Sequence, residues 1–252
     1  DQIARSDVNM VMTVNPQTKT ILLTSIPRDS YVTLHSFGAE DKLTHSGIYG
    51  VEETVDTVED WLDYDMNYYI KANFSMLVDI VDAIDGVDVY SDFEFKSSVA
   101  DFYYNEGENH LSGMAALYFA RERKAFEDED IERGRNQQKV LKAMINKTTQ
   151  SKVILTKYTQ LLDAVEDEMQ TNMSEKDISS LVKMQINDMG KWTINTISIT
   201  GTDAYAPTYS MGSQELAVVI PDETSVEAAK QAIHDTMYPA YTKEKKNKSK
   251  TK

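Results

Sequence analysis

Two short apolar runs, VNMVMTVN (8–15) and KTILLTSI (19–26), are joined by a polar Asn-Pro-Gln-Thr turn region, and this pairing constrains the chain more than any other feature. It predicts a β-hairpin buried on both faces, placed near the centre of a sheet. The segments that follow supply cover for it. EETVDTVEDWL (52–62) sets Val55, Val58 and Leu62 at helical spacing, and NFSMLVDIVDAI (73–84) repeats the pattern with Phe74, Leu77, Val81 and Ile84. Gly86 is placed to cap that helix, and VDVYS (87–91) then reads as another strand. Strands and helices alternate, so the expected class is α/β: a central mixed β-sheet flanked by helices.

Further along, Ser112 to Ala120 and Ile131 to about Lys147 read as helices. Ser174 and Asp177 resemble a capping box, although Glu or Gln is preferred at the second position. WTINTISI (192–199), PTYSM (207–211) and ELAVVI (215–220) read as strands, and ETSVEAAKQAIHDTM (223–237) as a closing helix. No repeat or low-complexity linker interrupts the order. Residues 1–150 are taken as the half that carries chemistry, 151–242 as a C-terminal α/β extension of the same body, and 243–252 as a disordered lysine-rich tail.

Composition narrows the function. With 252 residues, 41% of them apolar, the chain can bury one sizeable core. A formal net charge of -15 argues against nucleic acid as a partner, because phosphate backbones select an extended basic face. There is no cysteine, hence no disulfide and no thiolate metal site. No apolar run reaches the roughly 18 residues of a membrane span, and DQIARSD lacks the order of a signal peptide. Any membrane anchor is expected to lie outside this sequence.

Against that acidic background the arginines are unevenly placed. The stretch FARERKAFEDEDIERGRNQQ (119–138) holds Arg121, Arg123, Arg133 and Arg135, and the chain's other arginines are Arg5 and Arg28. On a helix starting near Ile131, Arg133, Gln137, Val140 and Met144 fall on one stripe, with Asp130 extending it backwards and Arg135 on the opposite side. Arg133 is then satisfied either by Asp130 as an ion pair or by an anionic ligand near the helix N-terminus. Arg121 and Arg123 diverge on a helix but share one side of an extended segment, so joint service to a ligand requires the preceding helix to loosen near Ala120.

Arg5 stands before the first strand and Arg28 after the second, which an antiparallel hairpin places at one edge. Arg5, Asp7 and Arg28 are therefore expected on a common rim. Asp7 is either a salt-bridge partner there or a magnesium ligand, since Mg²⁺ takes one or two carboxylates together with phosphate oxygens and water. Arginine binds phosphate oxygens bidentately and keeps its charge, so the allocation points to recognition of a phosphate or pyrophosphate. Arg5, Arg28, Arg121, Arg123 and Arg133 are expected to meet in one pocket. His35, His45, His110 and His234 are scattered singly, which disfavours a histidine metal site.

The segments RSDVNMVMTVNPQTKTILLTSIPRDSYV, DKLTHSGIYG, GENHLSGMAALYFARER and DEDIERGRNQQKV, in this order, resemble the LytR-CpsA-Psr family of envelope glycopolymer ligases. The part beyond about residue 150 resembles the C-terminal extension of streptococcal-type members. The resemblance implies an extracellular domain of the family's α/β fold, held at the outer face of the cytoplasmic membrane by an N-terminal anchor. It implies a polyprenyl pyrophosphate carrier bearing a capsular or teichoic-acid-like glycan, peptidoglycan as acceptor, and Mg²⁺ as cofactor. Carried onto this chain, Arg5, Arg121, Arg123, Arg133 and Gln137 become pyrophosphate ligands, Asp7 a magnesium ligand, and Arg28 and Asp130 catalytic residues. A second acidic metal ligand usual in the family would precede this sequence, and Asn136 stands where many members carry arginine. The alternatives are a noncatalytic polyprenyl-phosphate-binding module and a transcriptional regulator.

Overall fold

The structure, a computed structural model, describes residues 5–126, 129–150, 156–157, 160–161, 169–188 and 190–239, with only the backbone described at 129, 130 and 150. The lysine-rich tail lies outside the described residues. In chain order the elements are β1 (Asn9–Asn15), β2 (Thr20–Ile26), β3 (Tyr31–Thr33), β4 (Glu40–Lys42), α1 (Leu43–Ser46), α2 (Val51–Leu62), β5 (Ile70–Ala72), α3 (Phe74–Ala83), β6 (Val87–Ser91), β7 (Phe95–Lys96) and β8 (Tyr103–Tyr104). There follow β9 (Gly107–Leu111), α4 (Gly113–Arg121), α5 (Glu129–Gln150), β10 (Met169–Thr171), α6 (Glu175–Asn187), β11 (Thr193–Ser198), β12 (Gly201–Pro207), a 3-10 turn (Tyr209–Met211), β13 (Glu215–Pro221) and α7 (Glu223–Met237). The fold is mixed α/β, and contacts divide it into two units: Asp1–Met66 with Thr193–Lys252, and Asn67–Trp192.

In the first unit the expected hairpin forms, with Asn9 opposite Ile26 and Asn15 opposite Thr20. Asn15 closes it: its side-chain oxygen accepts from the N–H groups of Gln17 (3.0 Å) and Thr18 (3.2 Å), and its amide donates to Thr236 O at 2.8 Å. β11 adds in parallel to β2, giving the order β1-β2-β11 and making β2 the centre of a mixed sheet. β2 is buried from Ile21 to Ile26. β1 departs from the expectation of burial on both faces: as an edge strand it alternates, leaving Met12 and Val14 exposed. Leu22 and Ile26 pack with Val58 and Leu62 of α2 and with Val226 and Ile233 of α7. Burying each such side chain contributes about 1.5–3 kcal/mol.

The segment read as the strand PTYSM differs. Pro207 ends β12, and Tyr209–Met211 forms the 3-10 turn before Gly212 at φ 66. Strand β12 pairs along its length with β13, from Gly201 opposite Pro221 to Pro207 opposite Glu215.

The second unit packs α3, α4 and α5 against the antiparallel pair β6 and β9. Phe95, Tyr104 and Phe119 stack at its centre, with Phe95–Tyr104 and Tyr104–Phe119 centroids 4.7 and 5.2 Å apart. The Tyr104 hydroxyl donates to Ala115 O at 2.7 Å, which satisfies its one polar atom. After α3 the chain turns through Asp85 (φ 60) and Gly86 (φ 83), as the cap reading expected, and Gly86 N–H donates to Val81 O at 2.8 Å. The capping box at α6 is present with aspartate in place of glutamate: Ser174 Oγ accepts from Asp177 N–H (3.2 Å) and Asp177 Oδ2 from Ser174 N–H (3.0 Å). Among the described residues no helix is long and apolar enough to cross a membrane.

Gly113 sets how closely α3 and α4 approach. Its N–H donates to Asp82 Oδ1 at 2.7 Å, and a Cβ there would lie 2.3 Å from Val78 O. Gly113→Ala is expected to push the helices apart at a cost of about 1–3 kcal/mol, measured as a lower urea midpoint with an unchanged m-value.

Candidate functional site

In the first unit the candidate residues stand on a braced turn. Ser30 N–H donates to Pro27 O at 3.1 Å, placing Arg28 and Asp29 at the turn's two central positions. All three carbonyls that follow are used: Arg28 O accepts from Thr44 N–H (2.8 Å), Asp29 O from Val219 N–H (2.8 Å) and Ser30 O from Leu43 N–H (2.9 Å). The turn is thus stitched to α1 on one side and β13 on the other, and the Arg28 side chain projects from a rigid base.

Arg28 Nη1 donates to Asp7 Oδ1 at 2.7 Å, its Nε lies 3.5 Å from Asp29 Oδ2, and Lys42 Nζ donates to Asp29 Oδ1 at 3.0 Å. Asp7 is therefore a salt-bridge partner of Arg28, as one of the two readings held. The pair remains partly exposed, at 30% for Arg28 and 49% for Asp7, so it contributes at most about 1 kcal/mol to stability and serves mainly to orient the guanidinium. Arg5 is exposed, ahead of Ser6, whose N–H donates to Thr44 O. The hairpin edge thus gathers Asp7 with Arg28 directly, and brings Arg5 to the same strand entrance.

The second unit carries Arg121, Arg123, Arg133 and Gln137, and the backbone of Asp130, whose side chain is not described. α4 ends at Arg121, and Glu122 turns extended at φ -64, ψ 138, as joint use of Arg121 and Arg123 required. The cause is the Glu122 carboxylate, 1% exposed. Its Oε2 accepts from Ser98 N–H at 2.6 Å, and its Oε1 from Arg123 N–H (3.0 Å) and Ala125 N–H (3.2 Å). Burial pushes this carboxyl up, but the hydrogen bonds from Ser98, Arg123 and Ser97 outweigh it and hold it below the ordinary glutamate value. Arg121 is exposed, its guanidinium 4.8 Å from the Phe74 ring centroid, while Arg123 is half-buried.

On α5 the buried stripe is Glu132, Asn136, Val140 and Ala143, with Arg133 and Gln137 half-buried on its flank. Val140 faces inward as expected, while Glu132, Asn136 and Ala143 are buried beside the expected Arg133, Gln137 and Met144, and Gln138 is buried as well. Arg135 is exposed as expected and pairs with Glu132. Asn136 is 2% exposed and its Nδ2 has no hydrogen-bond partner among the described residues.

Glu122 and the inward place of Asn136 are site features that the sequence patterns do not predict. A carboxylate between two arginines is the available signal for the first; nothing in the stripe pattern signals the second.

Magnesium can be tested against these donors. Among the described residues no group of three or more His, Asp or Glu side chains could hold a metal ion. Asp7 is half exposed, with one oxygen on Arg28. A single carboxylate fits Mg²⁺ only where phosphate oxygens and water complete the octahedron.

The LytR_cpsA_psr family matches residues 1–232. A polyisoprenyl-teichoic acid–peptidoglycan teichoic acid transferase, TagU of Bacillus licheniformis, is 38% identical over 175 residues, covering 69% of this chain and 56% of the relative. The Bacillus subtilis TagU is 37% identical over 171 residues, 68% of this chain and 55% of the relative. The chain thus spans somewhat more than half the length of the curated relatives it matches. Among solved structures, B. subtilis TagV superposes with a TM-score of 0.74 at 30% identity, covering 93% of this chain and 90% of that one. TagT bound to LIIa-WTA gives 0.75 at 29% identity over 94% and 87%.

Because the folded Glu122 carboxyl sits below its unfolded value, its stabilisation is complete at neutral pH and is lost as pH falls through that lowered value. Glu122→Gln is expected to lower stability by about 1–3 kcal/mol at pH 7, and the gap to wild type is expected to narrow below pH ~4. Thermal unfolding of both proteins across pH 3–7 measures it.

Proposed function

The chain belongs to the LytR_cpsA_psr family, and from that premise we propose that it is a transferase joining a glycopolymer carried on a polyprenyl pyrophosphate to peptidoglycan. The observation that carries the reading is the Glu122 clamp: a buried carboxylate ends α4 between two arginines in an acidic chain with few arginines to place. Arginine held on fixed backbone is suited to diphosphate, because the cost of orienting each guanidinium is met during folding.

In this reading the acceptor sugar hydroxyl attacks the glycan-proximal phosphorus. A new P–O bond forms, the bridging P–O–P bond breaks, and polyprenyl phosphate leaves with the electron pair. Phosphoryl transfer asks the protein for charge neutralisation and in-line positioning. Arg5, Arg121, Arg123, Arg133 and Gln137 are assigned to the diphosphate oxygens. Arg28, steadied by Asp7, is assigned to charge developing in the transition state. Asp130, placed by its motif alone, is assigned to the hydroxyl proton or to orienting an arginine. Mg²⁺, held by Asp7 with phosphate oxygens, would add charge neutralisation at the diphosphate. The glycan is of the wall-teichoic-acid or capsular class. The protein works at the outer face of the cytoplasmic membrane, through an anchor preceding this sequence.

The test is ligation of a labelled lipid-linked glycan to peptidoglycan sacculi in Mg²⁺. Arg28→Ala, Arg121→Ala and Arg133→Ala are each expected to lower kcat/KM by about 10²-fold or more with folding retained. Chelation by EDTA is expected to suppress ligation and to leave the unfolding temperature of the donor-free protein unchanged. Donor binding without turnover in wild type would make the chain a lipid-phosphate-binding module, and full activity in all three variants would remove the arginine assignment.

A further inference from the structure

The first unit displays three aromatic rings on its surface. Phe37, Tyr49 and Tyr209 are 38%, 40% and 48% exposed. Their centroids lie 4.6 Å (Phe37–Tyr49), 4.8 Å (Phe37–Tyr209) and 6.3 Å (Tyr49–Tyr209) apart, with interplanar angles of 51°, 30° and 50°. The rings come from three separate segments, so their meeting is a product of tertiary structure.

Each segment is fixed from beneath. Phe37 sits in the reversal between β3 and β4, where Gly38 takes φ 57 and donates to Leu34 O at 2.9 Å, and Ser36 N–H donates to the buried Glu53 carboxylate at 3.2 Å. Tyr49 follows α1, its N–H donating to Ser46 O at 2.9 Å. Tyr209 rides on the 3-10 turn, whose Ser210 N–H donates to Asp41 Oδ2 at 2.8 Å and whose Ser210 Oγ lies 2.9 Å from His45 Nδ1. His45 Nδ1 lies 2.6 Å from Asp41 Oδ1, and Lys42 N–H donates to the same oxygen at 2.7 Å.

Asp41 is 0% and His45 2% exposed. Burying such groups is costly unless every lone pair is used, and the partners used here are those that hold the Tyr209 turn. Ser210 and Asp41 address the same imidazole nitrogen, so the trio is not a nucleophile–base–acid relay and its work is positional. A rigid base beneath an exposed aromatic cluster marks a binding surface.

We propose that Phe37, Tyr49 and Tyr209 dock the acceptor, a low-charge amino-sugar strand of peptidoglycan, by stacking on a sugar ring. This rests on the transferase reading and extends it to the acceptor. A pyranose offers an apolar C–H face edged by hydroxyls, which matches aromatic faces edged by phenol groups. Burial, reinforced by Asp41, Tyr209 and Glu53, raises the Tyr49 phenol and keeps it a neutral donor. The Asp41 and Glu53 carboxylates near these rings oppose a phosphate-bearing polymer or an anionic lipid surface at this face.

The whole chain is titrated with a β-1,4-linked N-acetylglucosamine tetramer, a glycerol-phosphate polymer and anionic vesicles while the aromatic ¹H–¹³C signals are followed. The tetramer is expected to shift Phe37, Tyr49 and Tyr209 signals; Phe37→Ala and Tyr209→Ala are expected to weaken it about tenfold, and Tyr209→Phe to retain binding and certify the fold. In the ligation assay the two alanine variants are expected to raise KM for peptidoglycan with the donor KM unchanged. Arg133→Ala is expected to lose ligation yet bind the tetramer, so tetramer binding without wild-type ligation would fail the transferase reading while the sugar surface stands. Silence of the ring signals, equal affinity in the alanine variants, or shifts caused by the polymer, the vesicles or self-association would overturn the proposal.

Discussion

Each unit of this protein is organised around a buried carboxylate whose oxygens are taken up by backbone N–H groups. In the second unit it is Glu122, bonded to Ser98, Arg123 and Ala125; in the first it is Asp41, bonded to Lys42, Ser210 and the His45 ring. A carboxylate accepts several hydrogen bonds at once, so one side chain can satisfy backbone groups from segments far apart in sequence. These are the places where helices and strands stop, and the irregular backbone there would otherwise carry unpaired donors in the interior. The acidic composition, read first as a statement about partners, also supplies the internal anchors of the loops.

Those anchors bear on function because they hold cations and aromatics in fixed places. Arg121 leaves α4 at the residue before Glu122 and lies over Phe74, and Arg28 projects from a turn whose Arg28, Asp29 and Ser30 carbonyls are bonded to neighbouring elements. Surface lysines on regular helices would carry similar charge at greater entropic cost on binding. The same logic, with Asp41 and Glu53 as anchors, places three rings on one face of the first unit.

Much of the fold was legible because it rests on local periodicity. The hairpin, α2, α3, β6, the capping box of α6 and the closing helix all follow from spacing and caps that act within a few residues. The errors have tertiary causes. β1 was expected to be buried on both faces, but parallel addition of β11 fell to β2, which left Met12 and Val14 on an edge strand. PTYSM has strand composition but forms a 3-10 turn, because Ser210 bonds to Asp41, 169 residues away in sequence. The α5 stripe kept Val140 but turned Asn136 inward in place of Gln137, because amphipathic spacing leaves the polar start of a helix free to rotate and only tertiary packing settles it.

From residue order alone came the α/β class, the family resemblance, the rim of Asp7 and Arg28, and the need for the helix from Ser112 to loosen near Ala120 if Arg121 and Arg123 serve one ligand. Each depends on neighbours in the chain or on the antiparallel geometry of one hairpin. Tertiary structure alone decided which strand takes the centre of the sheet, which carboxylate ends α4, and which rings meet on the surface. Those outcomes rest on hydrogen bonds and contacts between distant segments, and no short-range pattern encodes their partners.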